Sequence, residues 1–218
     1  MSYQIAIDGP AGAGKSTIAK EIAKRLGFIY VDTGAMYRAM ALYLLRRGIP
    51  ADSPEEISAA SQKADITIAY RDGLQQVLLD GENVTSLLRT EEVGNMASAS
   101  SANPDVREKL VELQRLLADR ENVVMDGRDI GTCVLPHADV KIYLTASAAC
   151  RAKRRYDELT AKGEACDLEV IEADIRKRDH QDMTREHSPL RQAEDAVLLD
   201  SSDLTIAQVV ENILALVN

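Results

Sequence analysis

Residues 7–17 read "IDGPAGAGKST". Gly9, Pro10, Ala11, Gly12, Ala13, Gly14, Lys15 and Ser16 match the spacing G-x-x-x-x-G-K-[ST] at every fixed position. That spacing suits the phosphates of a nucleoside triphosphate. The glycines let the backbone turn sharply, so that its N–H groups aim at phosphate oxygens. Lys15 would bridge the outer phosphates, and the Ser16 hydroxyl would ligate Mg2+. A helix starting here adds a favourable dipole. Gly9 to Ser16 and the adjoining Thr17 are therefore the candidate ATP-binding residues, with Ser16 the candidate metal ligand. The loop alone leaves open whether the third phosphate is hydrolysed, to drive a switch or a motor, or is handed to another molecule.

Three further stretches carry polar groups at useful spacings. In "DTGAMYR" (32–38), Thr33, Tyr37 and Arg38 follow a strand-like run, and Arg38 could hold a second anion. In "MDGRDIG" (125–131), two acids flank an arginine. Arg128 has the fork geometry for a phosphate, and Asp129 could accept a hydrogen bond from a base or sugar. In "RKRDHQDMTR" (176–185), Arg178, Asp182 and Arg185 stand four and three apart and share a face if helical. Each has a plainer reading: Tyr37 packs and Arg38 caps, 125–131 is a surface turn, and 176–185 is a solvated, salt-bridged face. The last loses weight because a reaction between two anions needs cations.

The elements around these residues follow from periodicity. "YQIAID" (3–8) reads as a strand ending at the Gly-rich turn, with Ile18, Ala19, Ile22, Ala23 and Leu26 at helical spacing beyond it and Gly27 as terminator. "FIYVD" (28–32) reads as a second strand, which completes the strand–loop–helix–strand context that the phosphate loop requires. A helix is predicted over 34–47, ending at Gly48. "SPEE" (53–56) predicts another, with Ser53 as cap, Pro54 in the first turn and Glu56 closing a capping box. Residues 66–70 and 75–85 read as strand, turn and strand, with a second turn at Asp80-Gly81, and so as a small inserted subdomain. Helices follow near 90–101 and 104–119, the second capped by Asn103 with Pro104 first. "NVVMDG" (122–127), "VKIYL" (140–144) and "AVLLDSS" (196–202) are apolar runs of buried-strand type, and a last helix starts at 205. Residues 147–194 read as helical and charge-dense, with no strand inside. Five strands alternating with helices predict an α/β fold: a P-loop NTPase-type parallel sheet covered on both faces. Ligands then gather at the carboxyl ends of the strands, near Asp8, Asp32, Asp126 and Asp200.

The 218 residues suit a single domain with insertions. A net charge of −9 speaks against a nucleic-acid partner, though a local arginine cluster can still bind a small anion. Cys133, Cys150 and Cys166 form no C-x-x-C pair and are expected as reduced thiols of a cytoplasmic protein. His180 and His187 are expected at the surface. No signal peptide or membrane span is expected. With no long exposed apolar seam, a monomer is expected.

A guanine-reading N-K-x-D is needed for a regulatory GTPase, and no Asn in the chain precedes a Lys. A mechanical ATPase usually brings a larger core or assembly surface. A phosphotransferase needs a second pocket for an acceptor and extra arginines, and the inserted subdomain and the Arg-rich segment suit those needs. Readings as a kinase for another nucleotide or a sugar-like acid, and as a nucleotide-binding switch, remain open on these residues alone.

The chain resembles the bacterial cytidylate kinases of the nucleoside monophosphate kinase family. The resemblance rests on "IDGPAGAGKST", "DTGAMYR", "RTEEVGNMASA" (89–99), "VRE" (106–108), "DGRDIGTCVLP" (126–136), "KIYL" (141–144) and "IRKRDHQDMTR" (175–185), followed by "SPL" and "AVLLDSS", in order over nearly the whole chain. The hairpin near 66–85 resembles the three-stranded insertion of the bacterial type. The resemblance implies a five-stranded core (about 1–33, 120–150 and 190–218), a monophosphate-binding subdomain (about 34–119) and a helical lid (about 151–189). It implies transfer of the γ-phosphoryl of ATP to CMP or dCMP, with Mg2+. By the same likeness Thr33, Ser98, Arg107 and Asp129 line the base pocket, and Arg178 and Asp182 hold the ribose. Tyr37, Arg38, Arg128 and Arg185 serve the acceptor phosphate, with Lys15, Arg128 and Arg185 as the catalytic charges. Lid arginines such as Arg154 and Arg155 would reach ATP phosphates. Family members often carry Ser where this chain has Thr33, a change that keeps the hydroxyl.

Overall fold

The computed structural model describes residues 2–217. Its larger sheet is parallel and five-stranded, formed by β1 (Gln4–Asp8), β2 (Ile29–Asp32), β6 (Val123–Gly127), β7 (Val140–Thr145) and β8 (Val197–Asp200) in the order β2-β6-β1-β7-β8. A second, antiparallel sheet has the order β3-β4-β5, from β3 (Ile66–Arg71), β4 (Leu74–Leu79) and β5 (Glu82–Asn83). The chain divides into two compact units, residues 29–123 with Ser2, and residues 3–28 with 124–217.

In the second unit, β1 pairs with β7 from Ile5↔Val140 to Asp8↔Tyr143. Ile5, Ala6 and Ile7 are fully buried, as a central strand of a covered sheet requires. Helix α1 (Lys15–Leu26) starts from Gly14 and stops at Gly27, both in the left-handed region that glycine enters without a Cβ clash. Its buried stripe is Ile18, Ala19, Ile22 and Ala23. Helix α8 (Ile206–Leu214) packs on α1 through a face that includes Val209, Val210 and Ile213, and the capping box of Thr205 and Gln208 fixes its start. Helices α6 (Ala148–Ala161) and α7 (Leu168–Thr184) pack against each other.

The other unit is built on α2 (Thr33–Arg46), whose Met36, Met40, Tyr43 and Leu44 are buried. It also holds α3 (Pro54–Ser61), α4 (Glu91–Ser100) and α5 (Pro104–Arg120). Asn103 caps α5 through Oδ1, which accepts from the N–H groups of Asp105 and Val106. The β3–β4 turn is Asp72-Gly73 and the β4–β5 turn is Asp80-Gly81, each pair at positive φ, the geometry whose twist suits a two-residue hairpin.

Three expectations need correction. Ser53 precedes α3, but its side chain makes no capping bond, so the box with Glu56 does not form. Its φ −108° and ψ 75° lie outside the extended geometry that aims a cap at the first turn. Strand β8 is not buried: Val197 and Leu198 are 44% and 56% exposed at the sheet's edge. The helical segment is shorter than 147–194, because α7 ends at Thr184 and residues 185–194 contain no helix. Among the described residues no helix is long and apolar enough to cross a membrane.

Candidate active site

The phosphate loop joins β1 to α1. Gly9 has φ 149°, and a Cβ there would lie 1.9 Å from the Leu144 carbonyl oxygen on β7, so only glycine fits. Gly14 is the N-cap of α1, with φ 89°. Lys15 is buried and its Nζ donates to the Pro10 carbonyl at 2.8 Å, which closes the loop on itself. Burial, reinforced by the Arg128 guanidinium, pushes the Lys15 ammonium down to about 7 against the pull of Asp126, Asp8 and Asp182.

Next in the chain, the Ser16 hydroxyl donates to Asp126 Oδ2 at 3.0 Å. Asp126 is buried near the end of β6. A hydroxyl and a carboxylate oxygen this close form the hard-oxygen pair that Mg2+ prefers, so these residues fit that ion.

β6 leads into Arg128 and Asp129. Arg128 Nε donates to Asp182 Oδ2 at 2.7 Å, a half-buried ion pair with α7. Asp129 is buried, and Arg185 Nη2 approaches its Oδ1 at 3.4 Å while Arg185 Nε donates to the Ser188 carbonyl at 2.6 Å. After Asp129 comes a π-helical turn, Ile130–Val134, held from below by Asp8. Asp8 Oδ1 accepts from Ile130 N–H and Oδ2 from Gly131 N–H, both at 2.7 Å. Burial pushes the Asp8 carboxyl up to about 6, and those two backbone bonds oppose the rise.

The structure thus brings Lys15, Arg128 and Asp182 within electrostatic reach of one another, and pairs Arg185 with Asp129. The shared helical face of 178, 182 and 185 is only partly right. Arg178 and Asp182 lie on α7, with Arg178 exposed, whereas Arg185 is past the last turn at φ −61° and ψ 142°. Of the two arginines expected to reach ATP, Arg154 donates to the Ser201 carbonyl and Arg155 pairs with Glu158.

Sequence reasoning missed Arg151. It is 4% exposed on α6 and has four hydrogen bonds. Nε donates to the Ala146 carbonyl at 2.8 Å, and Nη1 to the Ala11 carbonyl of the phosphate loop at 2.9 Å. Nη1 and Nη2 also grip the carboxylate of Asp179 at 3.0 and 2.6 Å. No spacing marked it in the sequence, since Arg151 and Ala152, the buried residues of α6, are adjacent and make no helical stripe.

In the unit of residues 29–123, Asp32 caps α2, with Oδ1 accepting from Ala35 N–H at 2.9 Å. A Cβ on Gly34 would meet Asp32 Oδ1 at 3.2 Å and Arg38 Nη1 at 3.4 Å, so the Arg38 guanidinium folds back over the start of its own helix. Thr33 is buried at the first position of α2. Arg107 is buried on α5 with its guanidinium 5.8 Å from the Tyr37 ring centroid. Ser98 is half-buried on α4.

Comparison with known proteins points one way. A family model described as cytidylate kinase matches residues 5–218. A cytidylate kinase of Caldicellulosiruptor saccharolyticus is 53% identical over 212 residues, covering 97% of this chain and 94% of that protein. One of Desulfitobacterium hafniense is 53% identical over 217 residues, covering 100% and 93%. In fold alone, a shikimate kinase of Bacteroides thetaiotaomicron is similar, with a TM-score of 0.50 at 13% identity over 98% of this chain and 97% of that one.

Proposed function

The chain belongs to the cytidylate kinase family, and from that premise we propose that it transfers the γ-phosphoryl group of ATP to CMP, and also to dCMP, giving ADP and the cytidine diphosphate. The observation that carries the chemistry is the presence of Arg128 near Lys15, close enough for its charge to lower the lysine's pKa. Triphosphate binding alone needs no second cation there. A reaction that brings two phosphates together does.

An oxygen of the CMP phosphate attacks the γ-phosphorus, and the bond from that phosphorus to the β,γ-bridging oxygen breaks. The attacking oxygen is already anionic near neutral pH, so no strong general base is required. Catalysis then rests on positioning and charge neutralisation by Lys15, Arg128 and Arg185. Gly9 to Thr17 hold the ATP phosphates. Ser16 and Asp126 would hold Mg2+, which when bound screens charge on the transferring phosphoryl group.

For the acceptor, Tyr37, Arg38, Arg128 and Arg185 are assigned to the phosphate, and Arg178 and Asp182 to the ribose. Thr33, Ser98, Arg107 and Asp129 are assigned to the base. The Asp129 carboxylate accepts from the exocyclic amine of cytosine and repels the carbonyl that uracil carries there, a type of discrimination worth on the order of 10⁴-fold in good cases. Residues 151–189 act as a lid that excludes water during transfer. The enzyme works as a cytoplasmic monomer.

The test is ADP release by purified protein with ATP and Mg2+, comparing CMP, dCMP, UMP and AMP. CMP and dCMP should stimulate most. A win for AMP would overturn the base assignment. No stimulation by any monophosphate would leave a nucleotide-binding switch.

A further inference from the structure

Arg151 carries out none of the roles above, yet its buried guanidinium makes four hydrogen bonds. Its guanidinium is buried and shared between the phosphate loop, through Ala11, and α7, through Asp179. Its Cβ would lie 3.4 Å from a Cβ on Gly12, so it also backs the loop at the next residue. On α7, Asp179 stands three positions before Asp182, and such residues sit on one face of a helix. Asp182 in turn pairs with Arg128. The contacts therefore run unbroken from the Ala11 carbonyl through Arg151, Asp179, one turn of α7 and Asp182 to Arg128.

Each contact in this run resists being lost. A buried guanidinium stripped of its carboxylate leaves an uncompensated charge, which costs far more than the intact pair contributes. The bidentate grip also fixes the orientation of Arg151 against Asp179, which a single bond would not. A movement of α7 is thus passed to the loop instead of being absorbed between them.

We propose that Arg151 and Asp179 are positioning residues that couple the donor and acceptor sites, so that ATP and CMP each bind more tightly when the other is present. This rests on the kinase reading, in which Arg128 and Asp182 serve CMP. When the CMP phosphate engages Arg128, the Arg128–Asp182 pair rearranges, α7 settles with Asp182 on the ribose, and Asp179 draws Arg151 and the Ala11 carbonyl into the ATP-binding position. By linkage, ATP tightens CMP binding by the same factor.

The experiment is calorimetric titration of a non-hydrolysable ATP analogue with Mg2+, without CMP and at saturating CMP, and the reciprocal titration. The wild-type protein is expected to tighten by about fivefold or more in both directions, within the usual span of site-to-site coupling. Asp179→Asn should bring that factor close to one while still binding each nucleotide alone, and Asp179→Glu should restore most of it. Melting curves confirm that the variants are folded. A purely structural pair would lower the melting temperature and leave the factor unchanged, which would overturn the proposal. An uncoupled wild-type protein would overturn it without any variant. Failure of CMP to bind at all would instead defeat the kinase reading, and this proposal with it.

Discussion

Ser16 and Asp126 meet across 3.0 Å, a hydroxyl on the first turn of α1 donating to a carboxylate near the end of β6. They come from distant parts of the chain and place two hard oxygens at the start of the helix that follows the phosphate loop. Asp126→Asn should raise the Mg2+ concentration for half-maximal rate by about 10–100-fold, the usual cost of losing a group that holds or orients a metal. A Mg2+ titration of ADP release measures this. An unchanged midpoint would remove Asp126 from the metal site.

Asp129→Ala should raise the CMP KM and lower kcat/KM by about 10–100-fold, the cost of a hydrogen bond to a charged acceptor, with ATP affinity preserved. Discrimination between CMP and UMP should shrink with it. Steady-state kinetics on both acceptors would show the change, and unaltered CMP kinetics would take Asp129 out of the pocket.

Lys15 gives a pH signature. In the nucleotide-free protein its pKa is pushed down to about 7, so at pH 8 most molecules carry it neutral. ATP phosphates favour the charged form and should draw a proton in as they bind. Binding at pH 8 should take up about one proton, and ATP affinity should weaken as pH rises above about 7. Calorimetry in buffers of different ionisation enthalpy counts the proton. Lys15→Met should abolish the uptake, and uptake that survives the substitution would assign it elsewhere.

Asp8 works in the opposite sense for stability. Its folded pKa of about 6 lies above the ordinary 3.8, so the folded state holds its proton more tightly than the unfolded state. The stability it contributes is therefore complete below pH 3.8 and is lost as pH rises through 6. Relative to Asp8→Asn, the wild-type protein should lose about 2 kcal/mol between pH 4 and 7, most of the full shift at 1.36 kcal/mol per pKa unit. Urea unfolding of both proteins across that range is the measurement. A flat difference would place Asp8 near its ordinary pKa.

The phosphate loop was legible because its demands are local: glycine geometry, a lysine and a hydroxyl at fixed spacing. The parallel sheet was legible for a similar reason, since a covered strand needs a short apolar run. Partnership across the chain was not. Asp8 meets residues more than 120 positions away, and Arg151 reaches Ala11 across 140. Arg151 is one of ten lysines and arginines in residues 147–194, and composition does not tell which of them turns inward. Ser53 and Thr205 both begin a capping-box pattern, yet only Thr205 has the extended backbone that completes it. The apolar run of β8 looks like that of a central strand, because hydrophobicity records what a strand is made of and not how many neighbours it has.

Gly9 stands against the backbone of β7 with room for a hydrogen atom and nothing larger. The cradle for the triphosphate is therefore gauged by the spacing of two neighbouring strands, about 4.8 Å in any sheet. Its dimensions depend less on the residues that touch the ligand than on a floor that cannot stretch. Redesign of the nucleotide preference can alter side chains around the loop, but any change that wedges β1 from β7 reshapes the vessel itself.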